Sequence, residues 1–248
     1  MIVRRSAAEL AVMREAGRVT ARALSAVGAA VRPGVTTKEL DEVAVAVIEA
    51  AGAKPAFLGY HGFPATICAS RNCEVVHGIP GKVRLVEGDI ISIDMGAIVD
   101  GYFGDSARTF PVGRVSERAT ALMDATLLSL EAGIAKCVPG NRLYDIGAAV
   151  QAVAEGAGFS VVREYVGHGI GRQMHEEPQV PNYGTAGKGP VLAAGMVLAI
   201  EPMINAGGAG VRQMDDGWTV VTADGKPSAH FEHTVAITAE GPWVLTVE

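Results

Sequence analysis

The chain has few cysteines and spaces them badly for metal or redox work. Cys68, Cys73 and Cys137 are an odd number and form no CxxC pair, which argues against a structural zinc site and suits a reducing compartment. No uncharged apolar run is long enough to cross a bilayer. The opening residues, MIVRRSAAELAVMREAG, have no apolar stretch behind Arg4-Arg5 and no small-residue cleavage site, so a soluble, cytoplasmic protein without a signal peptide is expected. Basic runs are missing too, and a net charge of −6 with pI near 5.6 speaks against a phosphate-backbone binder. His175-Glu176 is followed by Glu177-Pro178, so HExxH is not formed; GxGxxG, GxSxG and the Walker A pattern are absent as well. What remains is a globular composition, 49% hydrophobic and 19% charged over 248 residues, with enough chain for a substantial core.

The most informative stretch is Gly88 to Thr109, GDIISIDMGAIVDGYFGDSART. Ile90 to Val99 reads as a buried strand, and Asp100-Gly101 is a hairpin signal, because a type I′ turn needs positive φ at both central residues. That turn sets Val99 opposite Tyr102 and Gly96 opposite Asp105, with Asp94 one diagonal step away on the same face. A solvated hairpin with scattered acids is the plainer reading, but Asp94 lies inside an apolar strand. Two carboxylates this close call for a proton or a cation between them.

Before the hairpin, Ser6 with Glu9 and Thr36 with Glu39 form capping boxes for two helices, running to about Ala29 and Ala51. A loop rich in Gly, Pro and aromatics follows. After the hairpin, Ser116 opens a third helix to about Lys136 and Asn141 caps a fourth ending near Gly158. A Gly/His-rich loop comes next (YVGHGIGRQMHEEPQVPNYG), then the strand-like GMVLAIEPMI and the closing strand HFEHTVAIT. Helix, helix, loop, strands thus occurs twice. A shift of 107 residues lays His61-Gly62 on His168-Gly169 and Asp94 on Glu201, and Asp105 and Glu232 each lie on the strand that follows. The pattern predicts one catalytic domain over 1–248, with an internal repeat of roughly 1–115 and 116–248. Two related halves would then each bring two carboxylates to a shared axis.

Four carboxylates (Asp94, Asp105, Glu201, Glu232) and one imidazole, with His168 between glycines the first candidate, suit two divalent cations such as Co, Mn, Fe or Zn. His77 and His175 sit in Gly/Pro-punctuated loops of the kind that carry function. His61 and His233, being isolated, read as structural or surface residues.

Over essentially its whole length the chain resembles the type I methionine aminopeptidases of the pita-bread fold. The resemblance rests on MREAGRV, NCEVVHGIPG, IDMGAIVDGYFGDSARTF, GHGIGRQMHEEP, AIEPM and DGWTVVTADGKPSAHFEHTV, in that order. It implies an α+β fold, two pseudo-twofold-related halves with an antiparallel sheet covered by helices. It also implies an exopeptidase that removes the N-terminal methionine of nascent proteins and peptides, preferably before a small second residue. In this family residues matching Asp94, Asp105, His168, Glu201 and Glu232 hold two metals, and a water between them attacks the scissile carbonyl. His77 is expected at the scissile amide or leaving group, His175 at the carbonyl oxygen, and Glu201 doubles as general base. Phe57, Tyr60, Phe63, Cys68, His77, Met174, His175 and Trp218 are expected to line the substrate pocket, though ordinary core packing is the competing reading for each. The chain departs from the family at Met174, where Phe is common, and at His230, where Gln is usual. The short interval between Glu201 and Glu232 favours type I. The same resemblance implies a monomer with transient ribosome contact, while the charge and the lack of a long apolar run predict no nucleic-acid or membrane partner. A proline-specific peptidase of this fold and a metal-free binding module are the alternatives.

Overall fold

The computed structural model describes residues 1–248. Four helices, α1 (Ala7–Ala30), α2 (Thr37–Ala50), α3 (Glu117–Ile134) and α4 (Leu143–Gly156), cover antiparallel strands. Their starts follow from local chemistry. The Ser6 and Thr36 hydroxyls accept the N–H groups of Glu9 and Glu39, whose carboxylates in turn accept the cap N–H groups at 2.8 and 2.7 Å. Ser116 caps α3 by accepting from Ala119. The cap of α4 is Arg142 rather than Asn141: Asp145 accepts the Arg142 N–H at 2.7 Å, because the Asn141 amide turns back to donate to the Lys136 carbonyl. None of the helices is long and apolar enough to cross a membrane.

The strands around the site are β1 (Ile67–Arg71), β2 (Ile90–Val99), β3 (Tyr102–Pro111), β4 (Gly167–Gly169), β5 (Glu176–Val180), β6 (Val197–Ile200), β7 (Met203–Asn205), β8 (Ser228–His230), β9 (His233–Thr238) and β10 (Gly241–Val244). β1, β2 and β3 form one ladder, and a second runs β10–β9–β6–β4–β5. The hairpin has the register expected from its turn, with Asp100 and Gly101 at φ 48° and 77°. Odd residues of β2 (Ile91, Ile93, Met95) pack on α1 and α2 with Val19, Leu40 and Ile48, while Ser92 and Asp94 take the opposite face. A second core sets Leu122, Leu130 and Ile146 of α3 and α4 against Leu198, Ile200 and Val235. Burying each of these aliphatic side chains is worth about 1.5–3 kcal/mol. Between the two cores, Leu10, Phe57, Phe63, Tyr102, Met174 and Val197 form a third cluster.

Six strand assignments differ from those expected. β1 and Glu74–Val76, and likewise β4 and β5, lie inside segments that read as Gly-rich loops, since three to five residues give no periodicity to detect. GMVLAIEPMI is broken at Glu201-Pro202, where proline offers no N–H to a ladder, and HFEHTVAIT is broken at Phe231-Glu232. There the Glu232 backbone pairs with Ala107 of β3 instead, donating to its carbonyl at 2.8 Å. Both glutamates therefore sit at breaks, where a side chain is free to turn out of the sheet.

A candidate metal centre

β3 and the residue 230–234 segment are joined by hydroxyls. Thr234 Oγ1 accepts the Asp105 N–H at 3.0 Å and donates to the Asp105 carbonyl at 2.8 Å. Ser106 Oγ donates to the Glu232 carbonyl at 2.7 Å. The Thr109 hydroxyl both donates to and accepts from the His230 backbone, each at 2.9 Å. This seam fixes Asp105 and Glu232 side by side. His168 arrives from β4, whose flanking glycines are required: a Cβ on Gly167 would lie 2.3 Å from the Ala199 carbonyl oxygen and one on Gly169 2.2 Å from that of Glu177.

Single donor atoms of Asp105, His168 and Glu232 all lie within 4.8 Å of one another. His168 Nε2 is 3.8 Å from Asp105 Oδ2 and 3.4 Å from Glu201 Oε1. His168 Nδ1 is 3.0 Å from the Gly169 carbonyl, which only accepts, so Nδ1 carries the proton and Nε2 offers a lone pair. Burial pushes the Asp105, Glu201 and Glu232 carboxyls well above the ordinary range, and their negative neighbours push them further. Asp94 is pushed up to about 7 by burial. The same burial pushes His168 down to about 3 and His77 to about 4, keeping both neutral. Asp94 Oδ1, Asp105 Oδ1 and Glu232 Oε1 are buried with no hydrogen-bond partner, and no lysine or arginine lines the cavity. Orphaned carboxylate oxygens beside a neutral imidazole fit divalent cations of hard-to-borderline character.

The acids close one end of a cavity of about 430 Å³. Every residue expected at the site lines it: Asp94, Asp105, His168, Glu201 and Glu232 with His77 and His175, then Phe57, Tyr60, Phe63, Cys68, Met174 and Trp218. The Phe63 and Trp218 rings meet edge to face at 5.1 Å, with His77 6.5 Å from Trp218. His77 is held at φ 61°, a strained conformation for a non-glycine residue. His175 Nδ1 lies 2.7 Å from the Tyr60 hydroxyl, and its ring sits 4.2 Å from that of His168. Behind it, Glu176 accepts the N–H groups of Arg172 and Gln173 and pairs with buried Arg5, fixing the turn that carries Met174 and His175. His233 is structural, bonded to Thr246 at 2.8 Å, whereas His61 borders the cavity. Val76, Tyr165, Val166 and Met203 also line it. Their signal lay in plain view: Val76 precedes His77, Tyr165-Val166 precede GHG, and Met203 ends AIEPM.

An α+β shell around a buried carboxylate–histidine cavity defines a metallohydrolase scaffold, and comparison with known proteins agrees. The chain belongs to metallopeptidase family M24, whose model matches residues 11–239, and its relatives place it in the methionine aminopeptidase branch. It is 52% identical to a methionine aminopeptidase of Clostridium perfringens over 247 residues, covering 100% of this chain and 99% of the relative. It is 53% identical to methionine aminopeptidase 1 of Bacillus subtilis over 99% of each. The crystal structure of methionine aminopeptidase from Rickettsia prowazekii superposes with TM-score 0.98 at 42% identity over 100% of both chains, so the fold is the pita-bread architecture. A prolidase from Pyrococcus furiosus shares the fold alone, with TM-score 0.80 at 22% identity, 99% of this chain matching 66% of that one.

Proposed function

We propose that this enzyme removes the amino-terminal methionine from peptides and nascent proteins, preferring those with a small second residue. The observation that carries the reading is the meeting of the orphaned acids and His168 at one end of a cavity whose other end is aromatic and thioether-lined. Asp94, Asp105, His168, Glu201 and Glu232 would hold two divalent cations (Co, Mn, Fe or Zn), which supply Lewis acidity toward water and carbonyl. Glu201 takes the proton of the attacking water and returns it toward the leaving amine. His175, its ring fixed by Tyr60, stabilises the oxyanion at the scissile carbonyl, and His77 meets the scissile amide. Phe57, Phe63, Cys68, Met174 and Trp218 enclose the methionine side chain, for which an apolar, polarisable surface is the natural match. We read residues 1–248 as one catalytic domain made of repeats 1–115 and 116–248. We also read the protein as a cytoplasmic monomer that meets its substrates at the ribosome. The deciding experiment compares release of methionine from Met-Ala-Ser with cleavage of Xaa-Pro peptides by metal-stripped protein reconstituted with each ion in turn. Hydrolysis of Met-Ala-Ser alone is expected, whereas Xaa-Pro cleavage would move the chain to the prolidases' chemistry.

A further inference from the structure

One imidazole beside the acid cluster has no task in this scheme. His230, on β8 and opposite Met203 of β7, is 1% exposed, and neither of its ring nitrogens has a hydrogen-bond partner. A buried polar group left unpaired costs about 1–3 kcal/mol. The backbone of His230 is pinned by Thr109, itself held by Ser92 at 2.8 Å, so the direction in which the ring leaves the strand is fixed. Its Nε2 points toward Glu201 Oε2 at 3.9 Å, while the other oxygen of that carboxylate lies 3.4 Å from His168 Nε2. Glu201 is therefore bracketed by two imidazoles, one at each oxygen.

The two sides are chemically different. On the His168 side two acceptors face each other, because the His168 proton is already given to the Gly169 carbonyl, and a cation, or a proton on Glu201, satisfies both. On the His230 side no such commitment exists, and Nε2 is free to carry the ring proton. We infer that His230 is a positioning residue whose Nε2–H donates to Glu201 Oε2, fixing the plane of that carboxylate and keeping Oε1 turned toward His168. Closing the contact to hydrogen-bond length requires rotation of the carboxylate by about 1 Å. A glutamine amide offers the same donor in the same direction; leucine fills similar space and offers none.

The role assigned to His230 rests on Glu201 as the base. In His230→Leu, turnover of Met-Ala-Ser should fall about 10- to 100-fold with KM within about twofold, and His230→Gln should recover to within about fivefold of the original rate. Binding of Mn²⁺ to metal-stripped His230→Leu should keep its stoichiometry and change affinity less than about threefold; a loss of tenfold or more would make His230 a ligand and overturn the assignment. Equal losses in both variants, or none in either, would overturn it too. Should His230→Leu fail to fold, ¹⁵N spectra of the histidines in the unsubstituted protein loaded with diamagnetic Zn²⁺ decide: the Nε2–H tautomer is expected for His230, and the Nδ1–H tautomer refutes the bond. Wild-type turnover in Glu201→Gln would instead sink the base assignment while leaving the tautomer result standing.

Discussion

At the acid end of the cavity every donor comes from a strand or from a residue beside one, and hydroxyls stitch the backbone behind them. At the apolar end the enclosing side chains come from loops and turns: Phe57, Tyr60 and Phe63 from one segment, Met174 from a bend, Trp218 from another, with Cys68 of β1 the exception. The acid end is thus held against its own repulsion, and on the proposed reading the apolar end would be left to adapt to a flexible thioether. Chemistry that needs fixed atoms sits on sheets, and recognition of a bendable side chain sits on the connections between them.

Loss of the cations should break the comparison most completely. Exhaustive chelation should abolish methionine release, and divalent ion should restore it; full activity in the stripped protein would refute the scheme. Stability should then respond to pH in a particular sense. In the metal-free chain the acids titrate above their unfolded values, so the folded state holds extra protons and stability falls as pH rises. Buried His168 and His77, pushed down to about 3 and about 4, act in the opposite sense, but only below about pH 6.5, where an unfolded imidazole gains its proton. From pH 6.5 to 8, therefore, thermal melts of stripped protein should show a falling Tm, and Mn²⁺ should remove the decline.

Glu201→Gln comes next. Turnover should drop about 10³-fold, with ion content measured in parallel to separate loss of the base from loss of the metal. His175→Ala should cost about 10²- to 10³-fold in turnover, since the oxyanion then loses a fixed donor. The apolar end should respond in binding: Trp218→Ala should raise KM about tenfold with turnover within about threefold, as removal of one wall of a hydrophobic pocket does. The smallest effect is expected at Met174, 1% exposed and packed near Gly96. Met174→Phe should lower stability by about 1–3 kcal/mol through overpacking and change KM less than about threefold, read by melts and initial rates.

The same contrast explains what was legible in the chain beforehand. The register of Asp94 and Asp105 is legible because a two-residue turn and a period of two fix it within one hairpin. Matching acids single out Glu201 and Glu232 as candidates, but the breaks at which they sit are not legible, because the partner of Glu232 is Ala107, far away in the chain. Nothing local pairs Tyr60 with His175, 115 residues apart, or Thr109 with His230, 121 apart. Hydroxyls within strands look like ordinary strand residues until the partner segment is present. Short strands between glycines are not legible for a related reason: their pairing is dictated by the neighbours that press on Gly167 and Gly169.

The stitches of Ser106, Thr109 and Thr234 have a bearing on how the enzyme is supplied with ions in a cell. Since they tie the backbone around Asp105 and Glu232 through bonds within the chain, a departing ion would leave behind a cage already shaped for its successor. On the proposed reading, swapping one divalent ion for another would then require no local unfolding, and the species carried would follow whichever ion the surroundings provide.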